Sequence, residues 1–250
     1  MVVYPNAKIN IGLNILRKRN DGYHEISSVF YPVKDLFDIL EIVPSTVFNF
    51  SSSGINIPGE YNICIKAYNL LKLDFDINPV KIHLHKKIPI GGGLGGGSAD
   101  GAFTLLALNH IFNLDLSLKE LELYALKLGA DCPFFIENKP KYVTGIGDKM
   151  IPLDLDLSSF DLRFFFPNIH ISTKEAYSRI KSNISEIDLI SLINQPIEQW
   201  QGKIVNDFEN ITFSKYPQIK AMKKQLYDEG SIYASMSGSG SVLYGFFSKV

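Results

Sequence analysis

The chain has 250 residues and a formal net charge of −1, with 25 basic against 26 acidic side chains. Hydrophobic residues make up 46% and charged residues 20%, the balance of a folded globular chain rather than a disordered one. It lacks the basic footprint of a nucleic-acid binder, and no run approaches the roughly 20 apolar residues of a membrane span. Any anion site must therefore be built locally, from backbone amides and a few cations.

The two cysteines, Cys64 and Cys132, form neither a CxxC pair nor a disulfide framework. Met1 to Asn6 has no charged leader with an apolar core behind it. The expectation is a cytoplasmic protein without a membrane or nucleic-acid partner.

In chain order, Ile9 to Leu16 reads as a strand, and Asp21-Gly22 closes a polar turn of hairpin type. Strands are expected over Glu25–Val33 and Phe37–Val43. Tyr61–Leu73 has helical spacing, with Cys64, Ala67 or Tyr68, and Leu71 on one side. Val80, Ile82 and Leu84 alternate with Lys81, His83 and His85, a half-buried strand. His83 and His85 share a face, but with no third ligand nearby they read as a solvated strand face rather than a metal pair. Ser98–Phe112 reads as a helix. The next helix opens on the capping box Ser117-Leu118-Lys119-Glu120, carries Leu118, Leu121, Ala125 and Leu128 as its stripe, and stops at Gly129.

Beyond, Leu162–Pro167 reads as a strand, and Thr173–Lys181 and Pro217–Glu229 as helices. Ser231–Met236 and Val242–Phe247 read as strands around Ser237-Gly238-Ser239-Gly240. The loop-like run Thr144 to Asp148 places a boundary near 150. This predicts an N-terminal lobe over 1–150 and a C-terminal lobe over 151–250, whose last strand can return to the N-terminal lobe.

The densest signal is Gly91 to Gly97, where six of seven residues are glycine. So many glycines cost backbone entropy on folding. They lie between a strand and a helix, where backbone amides and the helix dipole converge on an anion. Lys86 and Lys87 just upstream add positive potential, and Ser98 can offer its hydroxyl to a phosphate or to Mg²⁺. A flexible linker is the competing reading, but linkers seldom join a strong strand to a strong helix. The loop is not Walker A, for no Gly-Lys-Ser/Thr ends it. Its loose G-x-G-x-x-G match is nearly automatic at this glycine density, with no acidic residue on a second strand about 20 residues on.

Pro89-Ile90-Gly91-Gly92-Gly93-Leu94-Gly95-Gly96-Gly97-Ser98-Ala99 resembles the phosphate-binding motif of the GHMP kinases. Pro5-Asn6-Ala7-Lys8-Ile9-Asn10-Ile11 and Ser235-Met236-Ser237-Gly238-Ser239-Gly240-Ser241 resemble that family's N-terminal and C-terminal motifs. Asp21-Gly22-Tyr23-His24-Glu25 and Leu128-Gly129-Ala130-Asp131-Cys132-Pro133-Phe134-Phe135 narrow the likeness. They resemble the members that act on a cytidine-diphosphate sugar alcohol, 4-diphosphocytidyl-2-C-methyl-D-erythritol, in the non-mevalonate isoprenoid pathway. The five motifs are collinear. Ala99 stands where a second Ser is common, Gly101 where Ala is common, and Tyr177 where Phe is frequent.

The resemblance implies an α+β, two-lobed GHMP kinase fold, with an N-terminal lobe like domain 2 of ribosomal protein S5 and a ferredoxin-like C-terminal lobe. It implies an ATP-dependent kinase using Mg²⁺, with the acceptor between the lobes and its 2-hydroxyl aimed at Asp131. Asp131 would be the general base; without the motif it reads as a helix cap beside Pro133. Lys8 would lie against Asp131 and hold it ionised; without the motif it reads as a solvent-facing strand lysine. ATP would contact Pro89 to Ala99, with Lys86 and with Asn62, which otherwise reads as an ordinary helix cap. Ser98 is the candidate metal ligand. Asn10, Thr173, Gly238 and Gly240 would serve the acceptor, although the last two also fit a plain hairpin. Tyr23 and Tyr177 would stack on the cytosine and His24 would bond its edge; otherwise Tyr23 shields the hairpin turn and His24 lies on the surface. Another GHMP kinase of homoserine or mevalonate type, a non-catalytic nucleotide-binding regulator and a structural protein with glycine-rich loops are the alternatives.

Overall fold

A computed structural model describes residues 1–59, 62–180 and 188–249. The chain forms two compact units, each discontinuous in sequence. Residues 1–8, 32–90 and 95–139 make the first, and residues 9–31, 91–94 and 140–250 the second.

The first unit holds a four-stranded sheet in the order β1 (Val2–Val3), β4 (Ile39–Pro44), β6 (Val80–Lys86), β5 (Asn49–Gly54). β4 pairs antiparallel with β6, while β5 runs parallel to β6. The alternation in Val80–Lys86 holds, with Val80, Ile82 and Leu84 buried. β5 carries the sequence Asn-Phe-Ser-Ser-Ser-Gly. A Ser/Gly run lacks β propensity, so only its partner makes it a strand. The solvent-side face of β6 carries a hydrogen-bonded ladder: Ser51 meets His83 Nδ1 at 2.8 Å, and Ser53 meets His83 Nε2 at 3.0 Å and His85 Nδ1 at 2.9 Å.

Three helices pack together beside this sheet: α1 (Ile63–Asp74), α2 (Gly96–Ile111) and α3 (Leu118–Leu128). Asn62 caps α1, its Oδ1 accepting from the Cys64 amide at 2.8 Å; Tyr61 lies outside the described residues. α2 begins at Gly96, two residues before the expected start, because Gly95 in the left-handed region (φ 69°) turns the chain into it. Gly101 is explained by packing: a Cβ there would lie 2.9 Å from Ile63 of α1. The capping box of α3 is formed in full, and Leu121 and Ala125 are buried. Leu118, expected in the stripe, is 52% exposed. The short helix α4 (Phe134–Glu137) follows.

The second unit holds two sheets. One runs β2 (Asn6–Lys18), β3 (His24–Phe37), β7 (Lys141–Thr144), β8 (Lys149–Pro152), and Thr144 to Asp148 is the tight turn of its last hairpin. β2 and β3 are long, and the first residues of β2 and the last of β3 belong to the first unit. The other sheet is antiparallel, β10 (Tyr233–Met236), β11 (Leu243–Ser248), β9 (Phe160–Phe165). Helix α8 (Pro217–Asp228) packs on β10 and β11, and Ile219 and Leu226 are fully buried. Helices α5 (Thr173–Arg179), α6 (Leu189–Ile193) and α7 (Phe208–Lys215) complete the unit. Lys181, the expected end of α5, lies outside the described residues. Among the described residues no helix is long and apolar enough to cross a membrane.

Candidate active site

Lys8 sits three residues into β2 and is buried, against the sequence expectation of a solvent-facing lysine. Gly95 lies against its stem and against the Phe135 ring: a Cβ added there would be 3.0 Å from both Lys8 Cγ and Phe135 Cζ. Its ammonium meets the carboxylate of Asp131, Nζ to Oδ2 3.4 Å. Burial pulls the Lys8 pKa down, and the Asp131 charge offsets part of that pull. The Asp131 side chain is 35% exposed, so a proton acceptor is open to solvent while its counter-ion is enclosed. The helix-cap reading of Asp131 does not hold, because Pro133 caps α4 and no side chain bonds its first turn.

Cys132, next to Asp131, is buried and its thiol is pushed up to about 12. It lies within hydrogen-bond reach of Ser98. The first turn of α2 thus stands beside the segment that carries Asp131. No side chain caps α2 among the described residues and no acidic residue lies in its first turn. Its leading amides are therefore free of the carboxylate that usually fills such a place. Ser98 is half-buried, Gly97 is exposed and Ala99 is buried.

Lys86 departs from expectation. It is 3% exposed, and its ammonium is held by Asp38 Oδ2 at 2.5 Å and Asp100 Oδ2 at 2.7 Å. Asp38 and Asp100 enclose it, so it is not presented to a surface anion site. Pro89 is half-buried and Ile90 is 40% exposed.

In the second unit, Gly91 to Leu94 lies against the Ser237–Ser241 turn. A Cβ at Gly93 would fall 2.0 Å from the Ser237 carbonyl oxygen, and the Ser237 hydroxyl donates to the Gly93 carbonyl at 2.8 Å. The Val242 amide donates to Gly92 at 3.3 Å. A Cβ at Gly91 would meet the His170 ring at 2.4 Å. Ser237 Oγ also accepts from the Asn10 amide at 3.2 Å, while the Asn10 side chain donates to Ser28 at 2.9 Å. Gly238 lies beside Asn10, with a Cβ there 3.4 Å from Asn10 Oδ1. Thr173 Oγ1 bonds Ser239 Oγ at 3.1 Å, and Gly240 sits against Met236 and Ile171. The turn is thus no isolated hairpin. His24 and Tyr177 stack, with centroids 5.4 Å apart at 29°, and Tyr23 is 61% exposed. Burial and Lys18 lower the His24 pKa, so its ring is neutral at pH 7.

Sequence reasoning missed several supports. Asn206 Nδ2 donates to both the Met236 and Gly238 carbonyls, at 2.7 and 2.8 Å. Glu209 accepts from the Met236 amide at 2.9 Å. Asn6 and Asn138 exchange amide hydrogen bonds at 3.2 and 2.6 Å, tying the Lys8 strand to the end of α4. Asp38 and Asp100 had one signal, a lone charge in an apolar setting, at a strand junction and inside the first turns of α2.

The GHMP kinases N terminal domain model matches residues 62–139, and the GHMP kinases C terminal model residues 188–250. A protein of Azobacteroides pseudotrichonymphae, 4-diphosphocytidyl-2-C-methyl-D-erythritol kinase, is 50% identical over 100% of this chain and 94% of its own length. The Bacteroides fragilis protein of that name is 49% identical over 99% and 92%. Among solved structures, the crystal structure of 4-(cytidine 5'-diphospho)-2C-methyl-D-erythritol kinase superposes with a TM-score of 0.81 at 29% identity, covering 98% of this chain and 89% of that one. A mevalonate kinase superposes at 0.71 with 15% identity over 99% and 91%, a likeness of fold alone. With 4-diphosphocytidyl-2-C-methyl-D-erythritol kinases as relatives near half identity along nearly their whole length, an α+β fold of that kind and the motifs in place, the chain belongs to the GHMP kinases.

Proposed function

We propose that the protein transfers the terminal phosphoryl group of ATP to the 2-hydroxyl of 4-diphosphocytidyl-2-C-methyl-D-erythritol. The observation that carries this reading is the Lys8–Asp131 pair, 3.4 Å apart, with the Lys8 stem against Gly95 at the head of α2. An anion-binding helix start and a solvent-open carboxylate with a buried cation are the two parts that phosphoryl transfer to an alcohol requires.

The free amides at the start of α2 take the phosphates, with Pro89 to Ala99 wrapped round them and Asn62 bordering the base. The uncapped first turn of α2 fits a polyphosphate, and the Ser98 hydroxyl is the group that would hold Mg²⁺. The ion, when bound, neutralises charge on the phosphate oxygens. Asp131 orients the acceptor hydroxyl and takes its proton as the new O–P bond forms. The bond to the bridging oxygen breaks and ADP leaves with the electron pair. Lys8 stabilises negative charge at the attacking oxygen. Tyr177 and Tyr23 stack on the cytosine and neutral His24 bonds its edge, while Asn10, Thr173, Gly238 and Gly240 bind the polar remainder. The His24–Tyr177 stack favours a nucleobase-bearing acceptor over homoserine or mevalonate. The metabolic role and the net charge of only −1 suit a soluble cytoplasmic enzyme.

The test is ADP release with Mg-ATP and each of the three acceptors, using wild type and Asp131→Asn. Turnover with the cytidyl acceptor alone, reduced about 10²-fold or more in the variant, supports substrate and base together. Turnover with another acceptor replaces the substrate. ATP binding without turnover points to a regulator.

A further inference from the structure

Asp38 is the single residue between β3 and β4, and it is wholly enclosed. Its Oδ1 accepts from the amides of Lys87 and Ile88 at 2.6 and 2.8 Å, and its Oδ2 from the Lys86 ammonium at 2.5 Å. It therefore fixes the backbone where β6 leaves the sheet. Lys86 then reaches across to Asp100 on α2 at 2.7 Å, closing a stretch of fourteen residues that contains the glycine loop. A Cβ at Gly96 would lie 3.0 Å from Lys86 Nζ and 2.8 Å from Ile88, so the first residue of α2 rests directly on this ammonium. Asp100 is also tied to α1, its carbonyl accepting from the Cys64 thiol at 3.8 Å.

Buried ion networks seldom exceed apolar packing in stability, because desolvation cancels much of the attraction. They do fix direction, since each hydrogen bond is satisfied in one geometry only. This network joins the two ends of the loop.

We propose that Asp38, Lys86 and Asp100 form a positioning strut that aims the first turn of α2 at the nucleotide phosphates, and so sets ATP affinity without touching ATP. This rests on the kinase reading above. The roles within the strut are unequal. An amide in place of Asp38 cannot serve two backbone donors and an ammonium together. An amide in place of Asp100 still offers Lys86 one oxygen.

The experiment measures the Kd of Mg-ATP by calorimetry, KM for ATP and for the cytidyl acceptor, and Tm. The variants are Asp38→Asn, Lys86→Met and Asp100→Asn, with Leu71→Ala as a control that loosens the buried face of α1 away from the loop. Asp38→Asn and Lys86→Met should raise both Kd and KM for ATP about 10-fold or more, leaving KM for the acceptor near wild type. Asp100→Asn, which still offers Lys86 one oxygen, should fold and show a smaller rise. Leu71→Ala should lower Tm with ATP affinity unchanged. Strut variants that lose Tm but keep wild-type Kd and KM for ATP, or that match Leu71→Ala, overturn the proposal and leave the kinase reading intact. A wild type that neither binds Mg-ATP nor turns over the acceptor sinks the kinase reading and the strut's role with it.

Discussion

The hydroxyl of Ser237 donates to the carbonyl of Gly93 at 2.8 Å, and the Ser237 carbonyl occupies the place where a side chain on Gly93 would begin. Gly93 also holds φ at 80°, in the left-handed region. Gly93→Ala should therefore displace the loop on two counts, steric and conformational. The expected result is a kcat/KM for ATP lowered about 10²-fold, together with a reduced Tm. Wild-type kinetics in this variant would show that the loop tolerates separation from the turn.

Lys8→Met keeps an unbranched stem against Gly95 while removing the charge. Loss of one preorganised charge at the reacting oxygen should lower kcat about 10²- to 10³-fold. KM for ATP should stay close to wild type. A rise in KM for ATP with kcat preserved would assign Lys8 to nucleotide binding instead.

Tyr177 packs edge-on against Phe208 at 4.9 Å and face-on against His24. If its ring face binds the cytosine, Tyr177→Ala should cost about 1–3 kcal/mol in acceptor affinity. Tyr177→Phe should behave as wild type, because the face is retained. KM for ATP should not move in either. Equal losses with both substrates would mean that the ring only supports the fold.

Burial pushes the Asp100 carboxyl from 3.8 up to about 8, against the opposing pull of Lys86 and with Asp38 adding to the rise. The folded state therefore holds this proton more tightly than the unfolded chain does. The resulting stability is full below about pH 4 and is lost as pH rises through about 8. Asp100→Asn has no such proton to lose. The Tm gap between wild type and Asp100→Asn should thus be widest near pH 5 and narrow toward pH 9. Parallel Tm curves would show that Asp100 does not titrate in this range.

Local patterns reached much of this fold. The box at Ser117 and Glu120 satisfies its own helix end, and the alternation in Val80–Lys86 is a property of neighbours. Lys8 was readable only through its motif, because a strand enclosed on both faces gives no period by which to tell an inward lysine from an outward one. β5 was hidden for a different reason: its serines become a strand only when the histidines of β6 stand opposite. The strut was beyond reach as well. Asp38 and Lys86 are separated by 48 residues, and periodicity carries no information at that range.

Both thiols are enclosed, and burial raises the pKa of each, Cys132 to about 12 and Cys64 further still. Thiolate is the species that alkylating reagents attack. Neither sulfur should therefore react while the chain is folded, even though Cys132 adjoins the carboxylate assigned to catalysis. Iodoacetamide incorporation would then count only molecules that have opened. The protein carries two internal reporters of its own unfolding, one beside Asp131 and one on α1, readable by mass without any added label site.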